Sequence, residues 1–401
     1  MKKYIINIII LLAALAVTKA YTQTLDDYLE IAAENNPGLQ SKYKEFEAAL
    51  QKIPQVNSLP DPTFSFSYNI PEMMSQTAKF SLMQTFPWFG TLKAQGNAAA
   101  LMAEAQYQSF LDIRNQLYFQ VSTAYYPLFE LNRLQEIEQK NIDLLKSYKS
   151  IANTKFKNGI SPMTDVLRVD IMLKDAETNL RILEKKMKPL MTTFNKLLNR
   201  EAFEEVVIDS SLAAENLQDS FRKDSLWANN PMLNALDLKI MASEANEMTA
   251  QKQGLPKLGV GLDYAIIENG KNIVMPMVSV SIPIFRKKYN AAKKEAQLMQ
   301  ESYTLQKKDI ANSLVSNYEM TWFEIQQQKE LMTLYEQQTN ESNRTLNLLF
   351  SAYSNSGENF EEVLRMQQQL LEYEKMKATA EVKYHTALAK LNYITAKHID
   401  K

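Results

Sequence analysis

The sequence predicts a mainly α protein with a small β part, built as a tandem repeat of long coiled-coil helices and four β-strands. Two observations lead to this fold class. Apolar residues recur at alternating steps of three and four between Val166 and Leu197, the spacing of helices that pack along a seam. The same spacing returns 197 residues later, from Val363 to Ile394. Four shorter stretches alternate apolar with small polar residues, which is typical of half-exposed strands.

The duplication extends beyond the two heptad helices. Val166-Leu167-Arg168 recurs as Val363-Leu364-Arg365, and Asn36-Pro37 recurs as Asn230-Pro231. Matching segments at one long shift indicate an internal repeat. The predicted organisation is a first repeat over residues 21–200, a connector over 201–219 and a second repeat over 220–401.

Composition excludes several classes of function. The chain has 401 residues, two histidines, no cysteine and a net charge of −1. A near-neutral chain lacks the basic face that nucleic acids require, and the lack of cysteine removes disulfides, thiol catalysis and thiolate metal sites. The sequence contains no catalytic or nucleotide-binding motif. We therefore expect no enzyme activity, no cofactor, no metal site and no nucleic-acid partner.

The amino terminus has the features of a secretory signal peptide. Lys2 and Lys3 precede an apolar run from Ile5 to Val17, and Thr18-Lys19-Ala20 provides a small-residue cleavage site. The run is too short to span a bilayer as a helix. Residues 1–20 are therefore predicted to be a signal peptide, and the mature chain is expected to be exported.

Each predicted repeat contains the same elements in the same order. In the first repeat these are a helix interrupted at Asn36-Pro37, a β-hairpin at about 62–86, a long helix from about 91 to 156, and a return helix in which Pro189 predicts a kink. The second repeat has a helix after Asn230-Pro231, a hairpin at about 257–285, a long helix from about 290 to 353, and a return helix.

The strands admit two interpretations. Their length and their alternation of apolar with small polar faces fit strands of a membrane barrel, but they also fit two ordinary hairpins that rest on the helices. Four strands are too few to close a barrel, and lipid does not tolerate open strand edges. If these strands cross a membrane, several copies of the chain must contribute to one barrel, and a symmetric ring would achieve this.

Three short motifs, in this order along the duplicated architecture, carry a family resemblance. They are Leu59-Pro60-Asp61-Pro62 before the first strand, Phe86-Pro87-Trp88-Phe89-Gly90 after the second, and Asn158-Gly159 with Asp165-Val166-Leu167 at the helical turn. From residue 25 to about 396 the chain resembles TolC-type outer-membrane efflux channels. The Leu-Pro-Asp-Pro and Phe-Pro-Trp stretches are similar to those of the family branch that serves heavy-metal and cation pumps.

The resemblance implies a homotrimer in outer-membrane lipid, with a twelve-stranded barrel and an α-helical tunnel through the periplasm. It implies a passive exit duct that docks a periplasmic adaptor and an inner-membrane pump at its helical tips. The cargo would be metal cations or small toxic compounds. The alternative is an exported coiled-coil structural or adaptor protein that does not insert in the membrane.

The resemblance also suggests residues at the tips. Candidates for a periplasmic gate are Asp165, Arg168, Glu362 and Arg365. Glu362 would form an acidic ring in a trimer, and Arg365 departs from the acidic residue that the family places there, so it is expected to pair with a neighbouring carboxylate. Candidates for adaptor docking are Gly159, Ser161, Asn355 and Gly357. For the gate candidates, the alternative is an ordinary solvent-exposed helix start whose acidic residues complement the helix dipole. For the docking candidates, the alternative is that the turn only reverses the chain.

Overall fold

A computed structural model describes residues 24–68, 76–209, 211–212, 229–267, 270–356 and 360–397. The predicted signal peptide, the first hairpin loop, part of the connector and Gly357 lie outside these residues. The described residues form two compact units. Unit 1 takes its residues from 1–36, 117–217 and 323–389, and unit 2 from 37–116, 218–322 and 390–401.

Seven helices account for most of the described chain. They are α1 (Leu25–Asn35), α2 (Pro37–Asn57), α3 (Thr91–Lys157), α4 (Met163–Leu197), α5 (Pro231–Gln253), α6 (Lys287–Ser356) and α7 (Phe360–Ile394). The break between α1 and α2 falls at Asn36, as the Asn-Pro dipeptide predicts. Helix α4 continues through Pro189, whose carbonyl accepts a hydrogen bond from the Thr193 hydroxyl at 3.0 Å.

Local sequence explains where several helices begin. Thr24 caps α1 in a capping box with Asp27, in which each side chain accepts a hydrogen bond from the backbone of the other residue. Asn230 caps α5: its side-chain oxygen accepts from the backbone N–H groups of Met232 and Leu233, and Pro231 occupies the first helical position. These contacts satisfy backbone donors that a helix start leaves without partners.

The heptad seam forms the core of one end of unit 1. Apolar residues of α4 and α7 lie in one buried cluster with residues from α3 and α6. The members from the two return helices are Val166, Val169, Leu173, Ala176, Phe360, Val363, Leu364 and Leu370. The spacing in the sequence therefore predicted which face of each return helix is buried.

The connector is tied to unit 1 by two buried tyrosines. The Tyr28 hydroxyl accepts a hydrogen bond from the Val207 N–H at 2.8 Å, and the Tyr125 hydroxyl accepts one from the Asp209 N–H at 2.9 Å. Both rings pack against Phe194 of α4. These bonds satisfy donors of a segment that has no regular secondary structure of its own.

The strands form one antiparallel sheet in unit 2, with the order β1 (Thr63–Tyr68), β2 (Gln76–Phe86), β3 (Lys257–Ile267) and β4 (Ile273–Ser281). The β2–β3 pair joins the two predicted repeats, with Phe86 opposite Leu258 and Leu82 opposite Leu262. The two hairpins are therefore parts of one sheet rather than separate ribbons.

The two faces of the sheet differ in chemistry. One face is apolar and exposed on all four strands, as at Phe66, Leu82, Leu262 and Val278, the last of which is 75% exposed. The opposite face carries mostly small and polar residues, with methionines among them on β2 and β4. There, a Cβ at Gly261 would lie 2.6 Å from the Leu82 carbonyl oxygen, so this position has no room for a side chain.

Candidate functional site

The candidate site is the pair of helical turns that end α3 and α6, both in unit 1. At the first turn the Ile160 N–H donates to the Lys155 carbonyl at 2.9 Å and the Gly159 N–H to the Phe156 carbonyl at 3.0 Å. Gly159 has φ of 73°, which favours glycine. This is a Schellman ending, in which the residue after the helix adopts a left-handed conformation. It accounts for Gly159 by chain reversal alone.

Aromatic packing joins this turn to the start of the second one. Tyr353 is completely buried, and its ring stacks on Phe360 with centroids 4.2 Å apart. The Lys155 ammonium lies 5.1 Å from the centre of the Tyr353 ring and donates to the Ser354 carbonyl at 3.0 Å. Side chains from both predicted repeats therefore hold the ends of α3 and α6 side by side.

Two polar residues of the first turn are buried against this aromatic group. Ser161 and Asp165 are each 8% exposed. Burial raises the pKa of the Asp165 carboxyl, and the Arg168 guanidinium partly opposes the rise. Burial also raises the pKa of Tyr353, while the Ser161 side chain opposes that rise. The tip is therefore less stable when the Asp165 side chain is charged than when it is protonated.

Ion pairs cross the surface of the tips. The Arg168 guanidinium donates to the Glu361 carboxylate at 2.6 Å, which connects α4 to α7. Arg365 lies 4.0 Å from Glu362, one turn away on the same helix. Both Glu362 and Arg365 are exposed, as is Asn355. The carboxylate that lies beside Arg365 is therefore that of Glu362.

The structure adds three residues that the sequence did not single out as functional. Glu361 is the partner of Arg168. Tyr353 and Lys155 were not selected, although the aromatic character of Tyr353 next to a turn was a usable signal. Asp165 and Ser161 lie together in the first turn, while Gly357 lies outside the described residues.

One turn further along α4, a second carboxylate has the opposite environment. Asp170 pairs with Lys149 of α3 and with Lys174, the latter at 2.8 Å. Hydrogen bonds from Lys149 and then Lys174 lower the pKa of Asp170 to about 2. This carboxylate is therefore charged under all ordinary conditions.

A buried polar layer lies behind the tips, between α3 and α7. The Lys375 ammonium lies 2.7 Å from the Glu138 carboxylate, which is 1% exposed. Nearby, the Gln367 side-chain amide donates to the Asn141 side-chain oxygen, Oδ1, at 3.3 Å, and both residues are buried. Polar groups in an otherwise apolar seam fix the register of packed helices.

The sheet has one charge pair on its small-residue face. The Lys79 ammonium of β2 lies 2.5 Å from the Asp263 carboxylate of β3, which is 5% exposed. On the same face Ser279 of β4 contacts the Met83 sulfur at 3.4 Å, across the glycines of β3. The pair joins the two predicted repeats.

Within the described residues, no three or more histidine or acidic side chains are grouped so that they could hold a metal ion. None of the described helices combines the length and the apolar character that a membrane span requires.

The fold is that of outer-membrane channels. The outer-membrane channel OprN superposes with a TM-score of 0.78 and 16% identity, over 92% of this chain and 89% of that chain. CusC, whose structures describe transmembrane channel formation, superposes with a TM-score of 0.78 and 14% identity, over 92% of this chain and 91% of that chain. VceC from Vibrio cholerae superposes with a TM-score of 0.75 and 14% identity, over 92% of this chain and 95% of that chain.

A match to one sequence family supports the predicted resemblance. Residues 224–397 match the sequence model of the family described as outer membrane efflux protein. Comparison with curated proteins gives no match. The resemblance to TolC-type outer-membrane efflux channels is thus found both in this match and in the fold. The family description is that of a transport protein rather than an enzyme.

Proposed function

We propose that the chain is one protomer of a trimeric, passive exit duct in the outer membrane, which serves a tripartite efflux or secretion system. The observation that carries the proposal is the single four-stranded sheet with a continuous exposed apolar face. Such a face is costly in water, and it matches the lipid-facing surface of a membrane barrel.

The edges of the sheet support assembly. Among the strands that the structure describes, β1 and β4 each pair on one side only. Unpaired backbone groups cannot lie in lipid, so the edges require partners. Three copies that join β1 of one protomer to β4 of the next would give a closed barrel of twelve strands, and the helices would then form the tunnel wall.

The helical tips are the proposed gate and docking surface. In a trimer, Glu362 would be repeated around one axis and would favour cations, with Arg365 weakening the ring. The Arg168–Glu361 pair would hold the two turns of a protomer together. Gly159, Asn355 and Gly357 are proposed to contact an adaptor attached to an inner-membrane pump. Ser161 is buried, so its docking role would require the turn to open.

The proposed cargo is metal cations or small toxic compounds, with selection made by the pump rather than by the duct. The second candidate is an exported coiled-coil protein that stays outside the membrane. The exposed apolar face disfavours it, because a water-soluble hairpin would be expected to expose its polar face instead.

The test is the protein-only mass of the mature chain, extracted from outer membranes in detergent and measured by light scattering. We expect three times the mass of the protomer. A monomer that stays soluble without detergent would remove the duct and support the coiled-coil candidate.

A further inference from the structure

A large cleft lies in unit 2, where the sheet meets the helices. Phe86, Lys257 and Ser281 mark the same end of the sheet by strand register. The cleft is about 820 Å³ in volume. Its lining includes Asp61, Trp88, Lys252, Lys257, Lys288 and Tyr289.

The cleft has an excess of positive charge. Three lysines line it, against one carboxylate, that of Asp61. Lys252 donates a long hydrogen bond to the Phe89 carbonyl, at 3.4 Å, and the Lys288 ammonium lies 4.8 Å from the centre of the Tyr289 ring. Among the residues that the structure describes, neither Lys257 nor Lys288 has a carboxylate within ion-pair distance. These ammonium groups remain available to an anion.

A second, smaller cavity of about 290 Å³ shares Lys257, Lys288 and Tyr289 with the cleft. Its remaining lining consists of Ser281 and of apolar residues that include Ile284 and Phe285. Ile284 is 79% exposed and Phe285 86%. A basic pocket that adjoins exposed apolar side chains is complementary to an amphipathic anion rather than to a simple soluble one.

We propose that this cleft binds the phosphate of an anionic phospholipid headgroup, with the lipid chains against Ile284 and Phe285. The proposal rests on the proposed insertion of the sheet in the membrane. In that arrangement this end of the sheet lies at the lipid–water interface, where aromatic and basic side chains are favoured. Lys252 and Lys288 would contact the phosphate, and Trp88 and Tyr289 would lie at the level of the headgroups.

The experiment measures lipid binding to the detergent-extracted trimer by native mass spectrometry. The probes are dioleoylphosphatidylglycerol, dioleoylphosphatidylcholine and inorganic phosphate. The variant is Lys252→Gln/Lys257→Gln/Lys288→Gln. The matched control is Lys42→Gln/Lys44→Gln/Lys52→Gln, which removes three lysines from α2 in the same unit.

We expect phosphatidylglycerol to bind more tightly than phosphatidylcholine, and the cleft variant to weaken phosphatidylglycerol binding by about tenfold or more. The control should leave it unchanged. A second variant, Ile284→Ser/Phe285→Ser, should weaken binding of the lipid while all three lysines remain.

Three results would overturn the inference. They are equal binding of the two lipids, equal loss in the cleft variant and its control, and displacement of phosphatidylglycerol by inorganic phosphate at millimolar concentration. The last result would assign the cleft to a soluble anion. Failure of the chain to form a detergent-dependent trimer would instead refute the proposed duct, so the two failures are distinguishable.

Discussion

The Asn36 side-chain amide donates a hydrogen bond to the Leu197 carbonyl at 2.8 Å. Asn230 makes the equivalent bond to Ile394, at 3.5 Å. Leu197 and Ile394 are the last residues of the two return helices, where carbonyl groups have no partner within the helix. In each predicted repeat, the asparagine before a proline therefore ties the start of one helix to the end of another.

We expect Asn36→Ala to lower the free energy of unfolding by about 1–2 kcal/mol, because it leaves the part-buried Leu197 carbonyl without its donor. The measurement is denaturant unfolding of the detergent-solubilised protein. Asn35→Ala is the control, since its amide donates to the Ile31 carbonyl at an exposed position within α1. Equal effects of the two substitutions would show that the Asn36–Leu197 hydrogen bond does not stabilise the fold.

The Glu138–Lys375 pair predicts strong coupling between two substitutions. Lys375→Met should destabilise the fold by about 3–5 kcal/mol, because it leaves a buried carboxylate without its counter-charge. Adding Glu138→Met should recover most of that loss, since two apolar side chains can replace a buried ion pair. A double-mutant cycle by thermal unfolding measures the coupling, and additive effects would exclude it.

Asp165 predicts a pH dependence of tip stability. Burial raises the pKa of Asp165 above its ordinary 3.8, so the folded tip binds the proton more tightly than the unfolded chain. Stability is therefore greater at low pH and falls as pH rises through the folded pKa. Asp165→Asn removes the buried charge, so it should raise the melting temperature at pH 7, and this gain should shrink at about pH 4.

Asp170→Asn is the control for the Asp165 variant, because its expected effect on the melting temperature has the opposite sign. Lys149 and Lys174 lower the pKa of Asp170 to about 2, so its contribution to stability is present above the ordinary pKa and is lost as pH falls towards 2. The substitution should lower the melting temperature at pH 7 and have little effect near pH 2. The same sign for both variants would refute this account of the tip.

The Arg168–Glu361 pair predicts a change in gating with little change in stability. The two side chains are 49% and 75% exposed, so Arg168→Gln should alter the free energy of unfolding by less than about 1 kcal/mol. If the pair holds the turns together, the variant should spend more time open in planar-bilayer recordings at about 0.1 M salt. The difference should fade near 1 M salt, where screening is strong.

Arg344→Gln is the matched variant, because Arg344 pairs with Glu341 within a single helix. It should leave the recordings unchanged at both salt concentrations. If the open fraction rises equally in both variants, the Arg168–Glu361 ion pair does not control gating.

The apolar face of the sheet gives the last prediction. Val278→Lys should reduce insertion in the outer membrane, because a lysine that faces lipid costs about 2–4 kcal/mol near the midplane. Ser65→Lys, on the opposite face, should be tolerated. The measurement is the amount of trimer recovered from outer membranes. Normal recovery of the Val278 variant would favour a sheet that stays in water.

The sequence predicted the elements that local periodicity controls. The heptads identified the buried face of α4 and α7, and the Asn-Pro and Asn-Gly dipeptides marked the break after α1 and the turn after α3. The contacts between distant segments could not be predicted in this way. Glu361 and Arg168 are 193 residues apart, and nothing in either local pattern selects one as the partner of the other.

The pairing of β2 with β3 also sets the order in which the sheet can form. Phe86 pairs with Leu258, so 172 residues separate neighbouring strands, whereas β1 and β2 are adjacent in the chain. At roughly 5–20 residues per second, synthesis delivers β3 on the order of ten to thirty seconds after β2. During that delay the edge of β2 lacks its partner strand, so its unpaired backbone groups can pair with other chains until β3 arrives.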